Sequence, residues 1–309
     1  MMSALDEHLA EYLRLRRALG FKLERHGQLL PQLIAYLQAH GASTITSELA
    51  IAWARSATGA RPRSWAARLA AARQFAAYLQ TIDPQTEVPP RGVFAVRYQR
   101  PTPYLWSAED IGRLVEAAGT LTPPLKAASM QTLFGLLAVT GMRVGEAVAI
   151  DRGDVDLTTG VITVGDHIAK LERARLLPLH ETTVEALACY ARTRDRLCPA
   201  PRSTRFFLGA RGGMLDKNRV ARAMRQLTTE LGLRTETVHP RSHDLRHSFA
   251  VRCLVDCQRA GEPVDARIAA LSTYLGHVAP ADTYWYLTAI PELMGLAAQR
   301  LHDRFGAQS

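Results

Sequence analysis

Lysine is almost missing from this chain. Of 38 basic residues only four are lysine (Lys22, Lys126, Lys170 and Lys217), and the other 34 are arginine. Cysteine is scarce too: Cys189, Cys198, Cys253 and Cys257 are too few and too scattered to staple 309 residues, which argues against a disulfide framework. No apolar run approaches the ~20 residues that span a bilayer. The opening MMSALDEHLAEYL lacks the charged-then-apolar layout of a secretory signal. A cytoplasmic location with no membrane partner is the expectation. There is no internal repeat and no low-complexity tail. Acidic residues are outnumbered, 29 against 38, leaving a net charge of +9 and a pI near 9.7. Such a balance points to a polyanionic partner. Residues 1–100 hold 13 basic and 7 acidic side chains, hence +6, and the remainder 25 and 22, hence +3.

What is present is mostly helical patterning. In residues 1–82, Leu5, Leu9, Leu13 and Leu19 fall near helical spacing, as do Leu29, Leu33, Tyr36 and Leu37. Thr46 to Arg55 reads as a further helix with Trp53 on its apolar side, followed by one with Trp65, Leu69, Phe75 and Leu79 as core candidates. From Arg55 to Ile82 there are five arginines and no acid, so Arg61, Arg63, Arg68 and Arg73 are candidate contacts to a phosphate backbone. Residues 83–104 hold five prolines among basic residues and read as an extended linker whose charge could follow a phosphate backbone. Ser107 then opens a helix with Glu109 and Asp110 in its first turn. Leu125 to Thr140 is an apolar helix ended by Gly141. GVITV and ARLLPL are short strand candidates around a turn that carries Lys170. Thr183 to Arg196 returns to helix, and Asp216 caps a helix whose Lys217, Arg219, Arg222 and Arg225 flank Val220, Met224 and Leu227 and are further candidate contacts to DNA.

The most informative stretch runs from His243 to Tyr286. Ser242 is a suitable cap for a helix with Asp244 in its first turn. His243 and Arg246, three apart, share a helical face. Leu275-Gly276-His277 follows about thirty residues later, and Tyr286 stands nine beyond His277. Two proton-handling imidazoles, a permanent cation and a phenol suit attack by tyrosine on a phosphodiester, and suit a carboxylate-and-metal hydrolase poorly. Arg143 lies just past a buried helix and a glycine, where a loop can present it. Glu146, three residues on, can hold its guanidinium.

Taken together, TGMRVGEAVAI, the Lys170 turn before ARLLPL, HDLRHSFA and LGHVAPADTYWYL closely resemble the tyrosine recombinases, the phage-integrase family. The resemblance covers roughly residues 105–309. The basic helical part before it looks like the family's core-binding domain. It implies a mainly α, two-domain DNA clamp: an all-helical core-binding domain (1–96), a linker (97–106), and an α+β catalytic domain (107–309) with a small antiparallel sheet. By the same resemblance Arg143 and Arg246 clamp the phosphate and His243 is the base. Lys170 is the general acid, His277 binds a phosphate oxygen and Tyr286 is the nucleophile. Glu146 supports. Tyr284 points about 200° away from Tyr286 on a helix, and the nine-residue offset from His277 selects Tyr286.

Two arginine forks match a transition state that gains negative charge. Tyrosine, with a pKa of ~10, needs a base, and a covalent phosphotyrosine conserves the bond without metal, cofactor or ATP. The implied partners are duplex DNA carrying specific sites and a homo- or hetero-tetramer on two of them, joined through an apolar helix over 291–305. The wording of the last motif resembles recombinases of mobile elements. Rival readings are a type IB topoisomerase and an inactive DNA-binding regulator. Asp151, Asp154 and Asp156 read as turn and capping residues, not metal ligands, and His247, Cys253 and Cys257 as helix packing, not a zinc site.

Overall fold

The computed structural model describes residues 3–59, 62–94, 102–165 and 174–276. The chain divides into two compact units, 1–100 and 101–309.

The first unit contains α1 (Ala4–Ala18), α2 (Glu24–Ala39), α3 (Ser47–Arg55) and α4 (Pro62–Leu79). Ser3 caps α1 in a reciprocal capping box with Asp6, and Thr46 caps α3 through the Leu49 N–H. The apolar stripes meet in one core around Leu33, Leu37, Trp53, Leu69 and Phe75. Each such burial contributes about 1.5–3 kcal/mol relative to exposure.

Two expectations need correction here. Leu19 lies beyond the end of α1 and is 64% exposed, because the chain leaves the helix one residue before its stripe would continue. Residues 83–94 are not free linker. Asp83 accepts from Thr44, the Glu87 N–H donates to the Ile45 carbonyl, and the Glu87 carboxylate accepts from the Ser47 N–H. Val88, Val93 and Phe94 pack against the helical core. The prolines keep this segment extended, and its apolar residues then dock it.

In the second unit α5 (Ala108–Gly119) is capped by Ser107 as expected, and α6 (Pro124–Thr140) is buried on nearly every side. Helix α6 packs against α5, against α8 (Glu181–Leu197) and against α10 (Ser242–Arg259). A four-residue helix, α7 (Val144–Ala147), follows it. Strands β1 (Val155–Asp156), β2 (Val161–Val164) and β3 (Arg175–Pro178) form a three-stranded antiparallel sheet in that order. In it Ile162 faces Leu177 and Val164 faces Arg175. The hairpin was legible in the sequence, and the two-residue β1 was not. The structure is thus mainly α with a small antiparallel sheet.

Helix α9 (Lys217–Glu230) is capped by Asp216, and α11 (Val264–Leu275) closes the described chain. Arg241, not Ser242, is the N-cap of α10. The Asp244 carboxylate reaches back to the Arg241 N–H at 2.8 Å, which places Ser242 inside the helix. Asp151 and Asp154 cap a single 3-10 turn, and the Asp156 carboxylate accepts the N–H groups of Thr158 and Thr159. All four cysteines are free thiols. Among the described residues no helix is long and apolar enough to cross a membrane.

Candidate active site

Two helices end on glycines that build one side of the site. Gly141 caps α6 at φ 61°, and Gly276 caps α11 at φ 65°, both left-handed. At Gly141 the need is twofold, since a Cβ would lie 2.5 Å from Phe249 Cδ1. The last carbonyls of a helix lack intrahelical partners and carry the negative end of its dipole. Arginines take those carbonyls here. Arg246 Nη1 donates to the Gly141 carbonyl and Nη2 to the Leu275 carbonyl, both at 2.8 Å. Arg252, farther along α10, donates to the Ala138 carbonyl at 2.8 Å. Arg246 is only 1% exposed, so these bonds fix the plane of its guanidinium.

Arg143 starts α7, two residues past Gly141. Its Nη2 donates to the Gly276 carbonyl at 3.2 Å, and its Nη1 to Glu146 Oε1 at 2.8 Å. Its own N–H donates to Glu146 Oε2 at 3.0 Å. Arg143 and Arg246 thus hold consecutive carbonyls, Gly276 and Leu275, of the turn that leads into His277. Glu146 is 2% exposed, and it has a second partner that sequence reasoning missed. Arg175, on β3, donates Nη2 to Oε2 at 2.7 Å and Nη1 to Oε1 at 3.4 Å. Burial pushes the Glu146 carboxyl up, but the hydrogen bonds and charge of Arg175 and then Arg143 outweigh it, and it sits below the usual carboxylate range. Arg143 and Arg175 are two cations on one carboxylate, which leaves that trio with a net positive charge, and Arg246 stands on the adjoining carbonyls of Gly141 and Leu275.

His243 is exposed in the first turn of α10, on the Arg246 side. His247, one turn on, is buried, and burial with the nearby charge of His243 lowers its pKa to about 4. It is neutral at physiological pH and belongs to the packing. Asp244 is buried as well. Burial raises its carboxyl above the usual range, partly offset by the Arg241 N–H. Ser248 donates to the Asp244 carbonyl and accepts the Trp106 N–H at 2.8 Å, which pins the start of the second unit onto α10.

The structure therefore brings Arg143, Glu146, Arg246 and the α10 start that bears His243 to one place. Lys170, His277, Tyr286 and Arg61 lie outside the described residues, as does the helix expected over 291–305.

The basic surfaces differ from this cluster. On α9, Lys217, Arg219, Arg222 and Arg225 are all exposed. Arg219 and Arg222 join Lys126 and Gln226 around a cavity of about 290 Å³. On α4, Arg63 is exposed and Arg73 half-buried. Arg68 is engaged within its own unit. It donates to the Trp53 carbonyl at 3.1 Å and to Gln32 at 3.3 Å, with its guanidinium 4.1 Å from the Trp53 ring centroid.

Comparison with known proteins gives the family and the fold. Residues 106–291 match the profile described as the phage integrase family. A protein of Sinorhizobium fredii (strain NBRC 101917 / NGR234) with the provisional name integrase/recombinase y4rB is 40% identical over 314 positions, covering 98% of this chain and 99% of its own. The tyrosine recombinase XerC of Actinobacillus pleuropneumoniae serotype 7 (strain AP76) is 28% identical, over 74% of this chain and 68% of its own. Among solved structures, a lambda integrase dimer bound to a COC' core site aligns with TM-score 0.62 at 17% identity, over 91% of this chain and 76% of that one. The Tn1549 transposon integrase in complex with transposon right end DNA aligns with TM-score 0.62 at 16% identity, over 99% and 100%.

Proposed function

The chain belongs to the phage integrase family, and on that premise we propose that it is a site-specific DNA recombinase working through a 3′-phosphotyrosyl intermediate. The observation that carries this reading is the convergence of Arg143 and Arg246 on the consecutive carbonyls of Gly276 and Leu275. Two forks with fixed planes stand beside the residue that precedes His277. In the reaction the Tyr286 oxygen attacks phosphorus and loses its proton to His243. The bond from phosphorus to the 5′-oxygen breaks, and Lys170 protonates that oxygen. Arg143, Arg246 and His277 hold the non-bridging oxygens as charge builds on them. A 5′-hydroxyl from a second duplex then reverses the sequence and releases the tyrosine. No step calls for a metal, cofactor or ATP.

Within this reading residues 1–96 form the core-binding domain, 97–106 the linker and 107–309 the catalytic domain. Exposed basic residues of α4 and α9 lie along the DNA backbone, and the protein works in the cytoplasm on the nucleoid. The relative named integrase/recombinase and the fold shared with a transposon integrase favour a mobile element as the substrate. Four protomers assemble on two sites through the apolar segment 291–305.

A nicked suicide substrate, which loses its 5′ end after cleavage, tests the chemistry. Wild-type protein is expected to accumulate a covalent 3′ adduct, Tyr286→Phe to bind DNA and form none, and Tyr284→Phe to behave as wild type. An adduct with Tyr286→Phe would remove Tyr286 as nucleophile. Deleting residues 291–309 should leave binding to a single site intact and abolish recombination between two. Normal two-site recombination by the truncated chain would overturn the tetramer assignment. Relaxation of plasmids lacking paired sites would favour a topoisomerase instead.

A further inference from the structure

Arg175 has no role in the chemistry above, yet it is among the best-held arginines of the fold. Strand alternation turns it to the same side of β3 as buried Leu177, opposite exposed Leu176. Its side chain is 11% exposed, too enclosed for a surface ion pair. Both outer nitrogens face Glu146. On its other side it packs so closely on Gly276 that a Cβ there would stand 3.1 Å from Arg175 Nη1. The Gly276 carbonyl in turn receives Arg143. One guanidinium therefore touches β3, the start of α7 by way of Glu146, and the C-cap of α11.

Charge defines what this arrangement does. Arg143 and Arg175 carry two positive charges and Glu146 one negative, so the trio keeps a net +1 for an incoming phosphate. Without Arg175, Glu146 would neutralise Arg143 fully and draw its fork inward. Resting on the recombinase reading, we propose that Arg175 is a positioning residue: it shares Glu146 so that Arg143 is oriented without being neutralised. Arg175 lies five residues after Lys170 in the chain, and its contact ties the start of β3 to Glu146 and Arg143. A lysine would retain the charge but not the planar fork that grips both carboxylate oxygens.

Protonation of Glu146 gives a readout that simple loss of packing would not. Among the described residues, the charged groups acting on it are Arg175 from β3 and Arg143 from the start of α7. With both present its carboxyl is held low. With one removed, burial raises it, and the carboxylate is lost at a higher pH. The experiment is single-turnover cleavage of the nicked substrate across pH by wild type, Arg175→Lys, Arg175→Gln, Glu146→Gln and the Arg175→Gln/Glu146→Gln double variant. Arg175→Gln is expected to bind DNA as wild type and to cleave about 10–100-fold more slowly, the loss typical of groups that orient a reactive residue from behind. The acid limb of its pH–rate profile should move upward. Arg175→Lys should recover part of the rate, and the two Gln substitutions should be strongly non-additive. Should Arg175→Gln fail to fold, the acid limb of Arg175→Lys decides, and it too should move upward. An active wild type with an unmoved acid limb and additive losses would overturn the positioning role alone. A wild type that forms no adduct would overturn the recombinase reading beneath it.

Discussion

The arginines of the two units do different physical work. On α4 they stand on a helix whose own sequence carries no acid, and Arg63 holds an exposed position. In the second unit Arg143, Arg175 and Arg246 are each tied to a carboxylate or to the carbonyl end of a helix. A phosphate backbone repeats, so a cation that follows it gains by remaining adjustable. A transition state forms at one phosphorus, and a cation serves it only if already in place. The same residue type thus serves at the surface at Arg63 and along α9, and locked into the fold at Arg68, Arg143, Arg175 and Arg246.

Lys170 tests the chemical side of this comparison most severely. An arginine keeps its proton at any working pH, so only a lysine can both hold and release one. Lys170→Ala and Lys170→Arg should each slow cleavage about 10²–10⁴-fold. A substrate with sulfur in the 5′-bridging position should restore both, because a thiolate leaves without a proton. If sulfur rescues neither, Lys170 is not the acid.

Arg246 and Arg143 separate fixing from catalysis. Either alanine variant should lose about 10²–10³ in cleavage rate. Arg246→Ala should also lower stability by roughly 1–3 kcal/mol, since it strips partners from the carbonyls of Gly141 and Leu275. Arg143 is 24% exposed, and its removal leaves Glu146 paired with Arg175, so a smaller stability loss is expected. Denaturant melts beside single-turnover rates check this. Equal stability of the two variants would mean that the buried carbonyl bonds do not hold the site together.

The smallest effects belong to the first unit. Arg63→Ala with Arg73→Ala should lower the melting temperature less than Arg68→Ala does, and flatten the slope of log affinity against log salt by about one for each phosphate that is no longer neutralised. Arg68→Ala should behave in reverse. It removes the cation over Trp53 and the bond to its carbonyl, so it should destabilise the helical unit and alter the salt slope little. A strongly flattened slope with Arg68→Ala would make Arg68 a DNA-binding residue despite its place against Trp53.

Much of this was legible because the signals are local. Ser107, Asp216 and Gly141 announce helix ends through bonds to their own neighbours, and the alternation of GVITV and ARLLPL marks a hairpin. The resemblance in motifs also grouped Arg143, Glu146 and Arg246, which the fold brings close together. The misreadings have equally definite causes. Five prolines suggested a free linker over 83–104, although Val88, Val93 and Phe94 in the same stretch carried the apolar surface that docks it. Arg175 gave one signal, a charged residue on the buried side of a strand, which implies a carboxylate partner somewhere without saying where.

Composition, capping residues and motif order by themselves determined the helical character, the hairpin and the types of residue available at the candidate site. Only the tertiary structure decided which partners hold them. Arg246 meets a carbonyl 105 residues away, Arg143 one 133 away, and Arg175 a carboxylate 29 away. Backbone preferences reach a few residues at most. Bonds at those separations arise when α6, α10 and α11 bury their apolar faces, and the packing brings helix ends and arginines together.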